Sequence, residues 1–173
     1  MKIPVALEIK LPGRIGTFSA SEEVPDMEYL GQDIHFASPL AVEAEYVFDG
    51  KGFSVKGSLA TSLHAVCALC AKEFEAPFTA AFEERFMRNP PEDAEEECYA
   101  FSGEEIDISQ MLSDTILLNM QPYSVCRQDC RGLCPVCGCD LNTAQCSCAR
   151  EVGEETQSPF AALKTLLNDD KEV

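Results

Sequence analysis

Leu40-Ala-Val-Glu-Ala-Glu-Tyr-Val-Phe48, then Asp49-Gly-Lys-Gly52, then Phe53-Ser-Val-Lys-Gly-Ser-Leu59, is the stretch that decides the fold class. Its apolar residues recur at every second position. Leu40, Val42, Ala44, Tyr46 and Phe48 point one way and Glu43 and Glu45 the other, which is the period of a half-buried strand. Asp49-Gly50-Lys51-Gly52 reads as a turn, since its glycines accept positive φ. Phe53, Val55, Leu59 and Leu63 continue the pattern on a return strand, with Lys56, Ser58 and Ser62 opposite. After Cys67-Ala-Leu-Cys70, a third strand places Phe74, Ala76, Phe78, Ala80, Phe82 and Phe86 against Glu73, Glu75, Thr79 and Glu83. Three long antiparallel strands with one buried face predict a mainly β (α+β) fold, a curved antiparallel sheet or small barrel.

Outward from this core the pattern weakens. Val5, Leu7, Ile9 and Leu11 alternate and predict a strand before Pro12-Gly13. Residues 21–39, broken by Pro25, Gly31 and Pro39, read as irregular. Residues 89–105 form an acidic, proline-led loop (Pro90-Pro-Glu-Asp-Ala-Glu-Glu-Glu97), either simply solvated or a docking segment for a basic partner. A short strand, Cys98-Tyr-Ala-Phe101, interrupts it. From Asp107 to Met120, Ile108, Met111, Leu112, Thr115, Ile116 and Leu118 recur at helical spacing, with Asp107 or Ser109 as the cap and Pro122 as the stop. This predicts one central helix. A short C-terminal helix over 160–167 is expected behind Ser158-Pro159. The domain reading is a β domain with closing helix over 1–122, a cysteine-rich segment over 123–150, and a linker with terminal helix over 151–173.

The cysteines carry the chemistry. Seven of the ten lie between Cys126 and Cys148, and Cys67 and Cys70 make an earlier pair. Residues 1–10 lack the apolar core of a signal peptide, and no apolar run approaches the ~18 residues that span a bilayer. The expected compartment is the cytoplasm. Its reducing conditions favour metal ligation over disulfides. Pairs of thiolates two to four residues apart suit a tetrahedral zinc ion, and four pairs suffice for one or two ions. The most local closure joins Cys134-Pro-Val-Cys137-Gly138 to Cys146-Ser-Cys148 as site 1. Gly138 there suits a positive-φ knuckle whose N–H groups face sulfur. Cys67, Cys70, Cys126 and Cys130 then form site 2, stapling the C-terminal segment to the tip of the sheet. A partition that joins Cys67/Cys70 to Cys134/Cys137 stays open. Cys139 is a possible substitute ligand, Cys98 a small buried residue or free thiol, and His35 and His64 ordinary surface residues. Iron–sulfur ligation is the competing metal reading.

An all-thiolate site leaves no coordination position for water. No phosphate loop or nucleophile elbow is visible, so no enzyme is expected. The formal net charge of −17 disfavours bare nucleic acid and favours a basic protein partner. Arg127, Arg131 and Arg150, beside the cysteines, are the candidate phosphate contacts. A DNA-binding zinc module is a third, weaker option, and charge and the lack of a basic recognition helix argue against it. A thiol-based redox or metal-transfer protein is the alternative function, and it requires a thiol that reacts in the metal-loaded chain.

One ordered set of motifs goes further. Cys67-Ala-Leu-Cys70-Ala-Lys-Glu-Phe74 is followed by the acidic loop. Ile106-Asp107-Ile108 then leads to Leu117-Leu118-Asn-Met-Gln-Pro122. Cys126-x-x-x-Cys130-Arg-Gly-Leu-Cys134-Pro-Val-Cys137-Gly precedes Asp140-Leu-Asn142, Cys146-Ser-Cys148 and Ser158-Pro-Phe-Ala-Ala-Leu-Lys164. Over roughly residues 40–168 the chain resembles the YceD family, the bacterial large ribosomal RNA subunit accumulation proteins with plant organellar relatives. The resemblance implies a role in accumulation or processing of large-subunit ribosomal RNA. A ribosomal protein or a large-subunit assembly intermediate would be the partner, with any RNA contact indirect or local. Family members that lack many of these cysteines imply that the metal stabilises one branch rather than carrying the activity.

Overall fold

The computed structural model describes residues 1–148 apart from 30, 89 and 91–97. The acidic stretch 91–97, the terminal helix expected over 160–167 and Arg150 therefore lie outside the described residues. The chain divides into two compact units, Met1–Cys67 with Lys72–Cys126, and Ala68–Ala71 with the chain from Arg127 onward.

The first unit is mainly strand. Its elements are β1 (Lys2–Pro4), α1 (Ala6–Lys10), β2 (Ile15–Glu22), β3 (Met27–Tyr29), β4 (Gln32–Ile34), β5 (Leu40–Phe48), β6 (Gly52–Val66), β7 (Glu73–Met87), β8 (Tyr99–Ala100), β9 (Glu105–Asp107) and α2 (Ser109–Asn119). Five strands form one sheet in the order β2-β5-β6-β7-β8. All neighbours are antiparallel except β8, which runs parallel to β7 through Phe86 and Met87. Among the described residues the sheet is open, so the small-barrel alternative falls. The expected period-two face is buried: Leu40, Val42, Phe53, Val55, Leu59 and Phe86 are each almost fully enclosed. Burial of side chains of this size contributes ~1.5–3 kcal/mol apiece before entropy is counted. At the β5–β6 turn, Asp49 Oδ1 accepts the N–H groups of Lys51 and Gly52, both at 2.8 Å, while Arg85 pairs with Oδ2. These bonds, the two backbone donors first, hold the Asp49 carboxyl down at about 2. The stability they give is complete above the ordinary carboxyl range and is lost as pH falls towards 2.

Three expectations need correcting. Residues 6–10 form α1, not a strand. Val5, Glu8 and Ile9 turn inward at helical spacing, leaving Leu7 and Leu11 exposed, and Glu8 is held by Arg14 Nε at 3.7 Å. The alternation of Val5, Leu7, Ile9 and Leu11 was thus coincident with a helical face. Residues 21–39 are not wholly irregular, since β2 runs to Glu22 and β3 and β4 pair as a small hairpin. Where one central helix was expected, the described residues hold two, and α2 packs against β7. Ile108, Met111, Leu112, Thr115 and Ile116 are buried on or beside α2, but Leu118 is 84% exposed and leaves the expected stripe. The N-cap is Ile108, which has no capping side chain, and not the expected Asp107 or Ser109; Asp107 Oδ1 accepts the Ser109 N–H at 3.0 Å from one residue ahead of the cap. β1 and β9 pair beside this helix start.

Candidate metal centre

Two groups of four thiols stand out. The Sγ atoms of Cys134, Cys137, Cys146 and Cys148 all lie within 4.8 Å of one another, and so do those of Cys67, Cys70, Cys126 and Cys130. These groupings follow the more local of the two partitions open in the sequence. Four thiolates ~2.3 Å from a tetrahedral ion lie ~3.8 Å apart, so each group needs only small adjustment to enclose one. The donor set, sulfur throughout, suits zinc or iron.

Both groups are built on the same backbone device. In the first, the Cys134 N–H donates to Cys139 O at 2.8 Å and the Gly138 N–H to Cys134 O at 2.9 Å. Gly138 takes φ +72°. In the second, the Cys67 N–H donates to Lys72 O at 2.9 Å, again five residues on. Ala71 occupies the left-handed position with φ 56°, the one non-glycine with positive φ among the described residues. Cys67/Cys70 and Cys134/Cys137 therefore each sit in a knuckle closed by a residue just after the second thiol.

The thiols differ in environment. Cys67, Cys70 and Cys134 are buried, Cys137 is exposed, and Cys126, Cys130, Cys146 and Cys148 are intermediate. The N–H groups of Cys137 and then Val136 draw the Cys134 thiol down to about 6. The Cys148 thiol is pushed up to about 11, first by its bond with Cys137 and then by burial. Cys139 is pushed up to about 12, first by its bond with Cys146, then by burial and by Cys137. Sulfurs this close share protons rather than ionise together, and a divalent cation replaces those protons. Cys139 thus lies against two members of the group without belonging to the four. Cys98 is half-buried just ahead of β8, neither fully enclosed nor within the strand.

A side chain outside the candidate set ties the second unit's loops together. Asn142 Oδ1 accepts Arg127 Nη2 at 2.7 Å and the Arg131 N–H at 2.9 Å. Its Nδ2 donates to Asp140 Oδ1 at 2.7 Å and approaches Cys130 Sγ at 3.6 Å. Such amide donors orient a thiolate and moderate its charge. Gly132 (φ +71°) lets the backbone pass close to the knuckle tip: Leu133 N–H donates to Leu69 O at 2.9 Å, and Leu141 N–H to Gly132 O at 3.0 Å. A Cβ on Gly132 would lie 2.9 Å from Leu69 O. The Asp140-Leu-Asn142 motif marks the place in the sequence, but the partners Arg127, Arg131 and Cys130 are set by tertiary structure. Arg127 also pairs with Asp129 at 3.4 Å, so Asn142 and Asp129 of its own loops both hold its guanidinium. Arg131 is exposed.

The order of these elements matches a known family model, "Large ribosomal RNA subunit accumulation protein YceD", over residues 55–167. The chain belongs to the YceD family. The match covers both knuckles and α2, so both cysteine groups lie on YceD-family sequence. Among relatives, a chloroplastic large ribosomal RNA subunit accumulation protein YCED homolog 1 of Arabidopsis thaliana is 35% identical over 60 residues, 35% of this chain and 19% of its own length. The homolog 1 of Zea mays is 46% identical over 48 residues, 27% of this chain and 16% of its own. An uncharacterized protein of Mycobacterium tuberculosis is 33% identical over 97 residues, 53% of this chain and 46% of its own. The chain therefore spans less than half the length of the curated relatives it matches. No solved structure matches it. No helix among the described residues is long and apolar enough to cross a membrane.

Proposed function

We propose that this YceD-family chain is a non-enzymatic zinc-binding accessory factor in biogenesis of the large ribosomal subunit. It supports accumulation or processing of large-subunit ribosomal RNA by docking a ribosomal protein or an assembly particle in the cytoplasm. The family match over residues 55–167 carries this reading. The two all-cysteine groups support the architectural half of it, because four thiolates fill a zinc ion's coordination and leave no place for a reacting water. The net charge of −17 supports docking through a basic protein rather than through bare RNA, and it argues against DNA.

Cells lacking the protein are expected to under-accumulate large-subunit RNA. The purified chain is expected to carry zinc and to sediment with large-subunit precursors or bind a basic ribosomal protein. Sedimentation with neither, at low and moderate salt, overturns the docking reading. Iron in place of zinc on elemental analysis overturns the metal assignment. The exposure of Cys137 favours a second reading, thiol-based redox or metal transfer. That reading requires Cys137 to alkylate in the metal-loaded chain. If all eight grouped thiols resist until chelator is added, it fails.

A further inference from the structure

The five-stranded sheet has two open edges, and they are built differently. At the β5–β6 turn the Asp49 N–H donates to Gly52 O at 3.1 Å. Alternation from that bond makes Val47, Glu45, Glu43 and Ala41 the β5 residues that bond β6. Tyr46, Ala44 and Val42 then bond β2 through Gly16, Phe18 and Ala20. The Gly13 N–H bonded to Phe48 O at 2.8 Å keeps the parity of β5, landing one residue short of the register ahead of β2. Ile15, Thr17, Ser19 and Ser21 therefore aim their N–H and C=O groups away from the sheet, and no strand pairs with them among the described residues.

The same alternation across β6 leaves the odd-numbered residues of β7 facing outward. The Phe101 N–H bonded to Met87 O at 3.0 Å agrees. That edge carries Glu73, Glu75, Pro77, Glu83 and Arg85 at its outward positions. Charges and a proline that lacks an N–H are the usual guards against strand addition. β2 has neither proline nor Lys or Arg, and its single charge is Glu22 at the end. Eight residues of unguarded edge offer a row of backbone donors and acceptors to an incoming strand.

Charge selects the occupant. Thr17 and Ser19 lie beside Glu45 and Glu43 of β5, on the exposed face; Glu45 already pairs with Lys56 Nζ at 3.3 Å, so Glu43 is the carboxylate offered to an incoming cation. Strands lie ~4.8 Å apart, so a residue docked opposite Ser19 sits ~10 Å from the backbone of Glu43. A lysine or arginine there crosses the short serine and meets the carboxylate. A second copy of this chain would instead bring another acidic sheet alongside.

We propose that β2 is a docking edge for an extended basic segment of a partner protein, which adds as a sixth strand with Lys or Arg at alternate positions. This names a surface for the docking reading above and rests on it for its biological setting. The probe is a blocked decapeptide alternating lysine with valine, added to the full-length chain. Hydrogen exchange at the Thr17, Ser19 and Ser21 amides is expected to slow at least tenfold at saturation. Ser19→Pro, which removes an outward N–H and no bond within the sheet, is expected to weaken the peptide at least tenfold. Ala81→Pro, the matched change on β7, leaves binding intact. Ser19→Lys serves in its place should Ser19→Pro not fold.

Protection along 73–85 instead of 15–21, or equal binding by wild type and Ser19→Pro, overturns the proposal. So does β2 protection that rises with protein concentration and needs no peptide, which assigns the edge to a second copy. Sedimentation with large-subunit precursors separates the two readings. If wild type and Ser19→Pro sediment alike, docking stands and the edge proposal falls. If no form sediments while the peptide still protects β2, the docking reading falls and the edge keeps its basic ligand.

Discussion

The two knuckles share a backbone and differ in what closes them. Cys67–Lys72 and Cys134–Cys139 each place a first-cysteine N–H on the carbonyl five residues later, at 2.9 and 2.8 Å. One turns through Ala71, the other through Gly138. An L residue in the left-handed region costs ~1–2 kcal/mol, so the Ala71 knuckle holds a conformation its own residue disfavours. The surroundings compensate. Cys67 and Cys70 are both buried, and the Leu69 carbonyl accepts the Leu133 N–H, whereas in the other knuckle Cys137 is exposed. The lesson is that the thiol pattern and its closing hydrogen bond define the knuckle, while glycine is a convenience at one position of it.

The largest expected effect tests whether the groups are separate. Cys134→Ser and Cys67→Ser should each lower the metal content by one ion per chain, from different groups. Cys134→Ser should loosen the cysteine-rich segment while the β5–β7 sheet keeps its exchange protection. Elemental analysis with hydrogen exchange reads both, and loss of the same ion from the two variants breaks the pairing. Next comes Gly132→Ala, which adds a left-handed penalty to a 2.9 Å approach to Leu69 O. A loss of about 2–4 kcal/mol is expected in chemical unfolding of the metal-loaded chain; a change near zero would mean that Leu69 and Gly132 part freely. A chelator should empty the Cys134 group before the Cys67 group, because Cys137 is exposed. Competition with a chromophoric chelator should therefore give two phases, and Cys134→Ser should remove the faster one.

The smallest effect is the sharpest comparison. Gly138→Ala should destabilise by about 1 kcal/mol, since its Cβ meets nothing within 4 Å and only the φ penalty acts. Ala71→Gly should move the other way, by up to ~1 kcal/mol after the added freedom of the unfolded chain is subtracted. Two shifts of the same sign in thermal melts would show that the knuckles are not equivalent in backbone.

Much of this was legible in the sequence where period and burial agree. Strands β5, β6 and β7 each bury one face, so Leu40 to Phe86 declared both the strands and the core. Residues 5–11 fit a period of two as well as a helical face, and the inward Glu8 belongs to the helix alone. The hairpin of β3 and β4 is too short for any period, and the parallel pairing of β8 leaves no local mark. The Cys134 group followed from spacing because its short loop closes locally, and the Cys67 group was what that partition left over. The left-handed Ala71 did not, since alanine carries no sign of it. The role of Asn142 was hidden because Arg127, Arg131 and Cys130 reach it only once the loops have folded.

Asn142 has a consequence for the history of this sequence. Its oxygen takes two donors and its nitrogen supplies Asp140 and the Cys130 sulfur, so the amide cannot be reversed without setting donor against donor. Aspartate would lose the donor and add charge beside a carboxylate and a thiol, and leucine would satisfy neither side. Asparagine at this position is bound to the fate of Cys130. A lineage that discards the thiol is released from keeping the amide, and the two should disappear from descendants together.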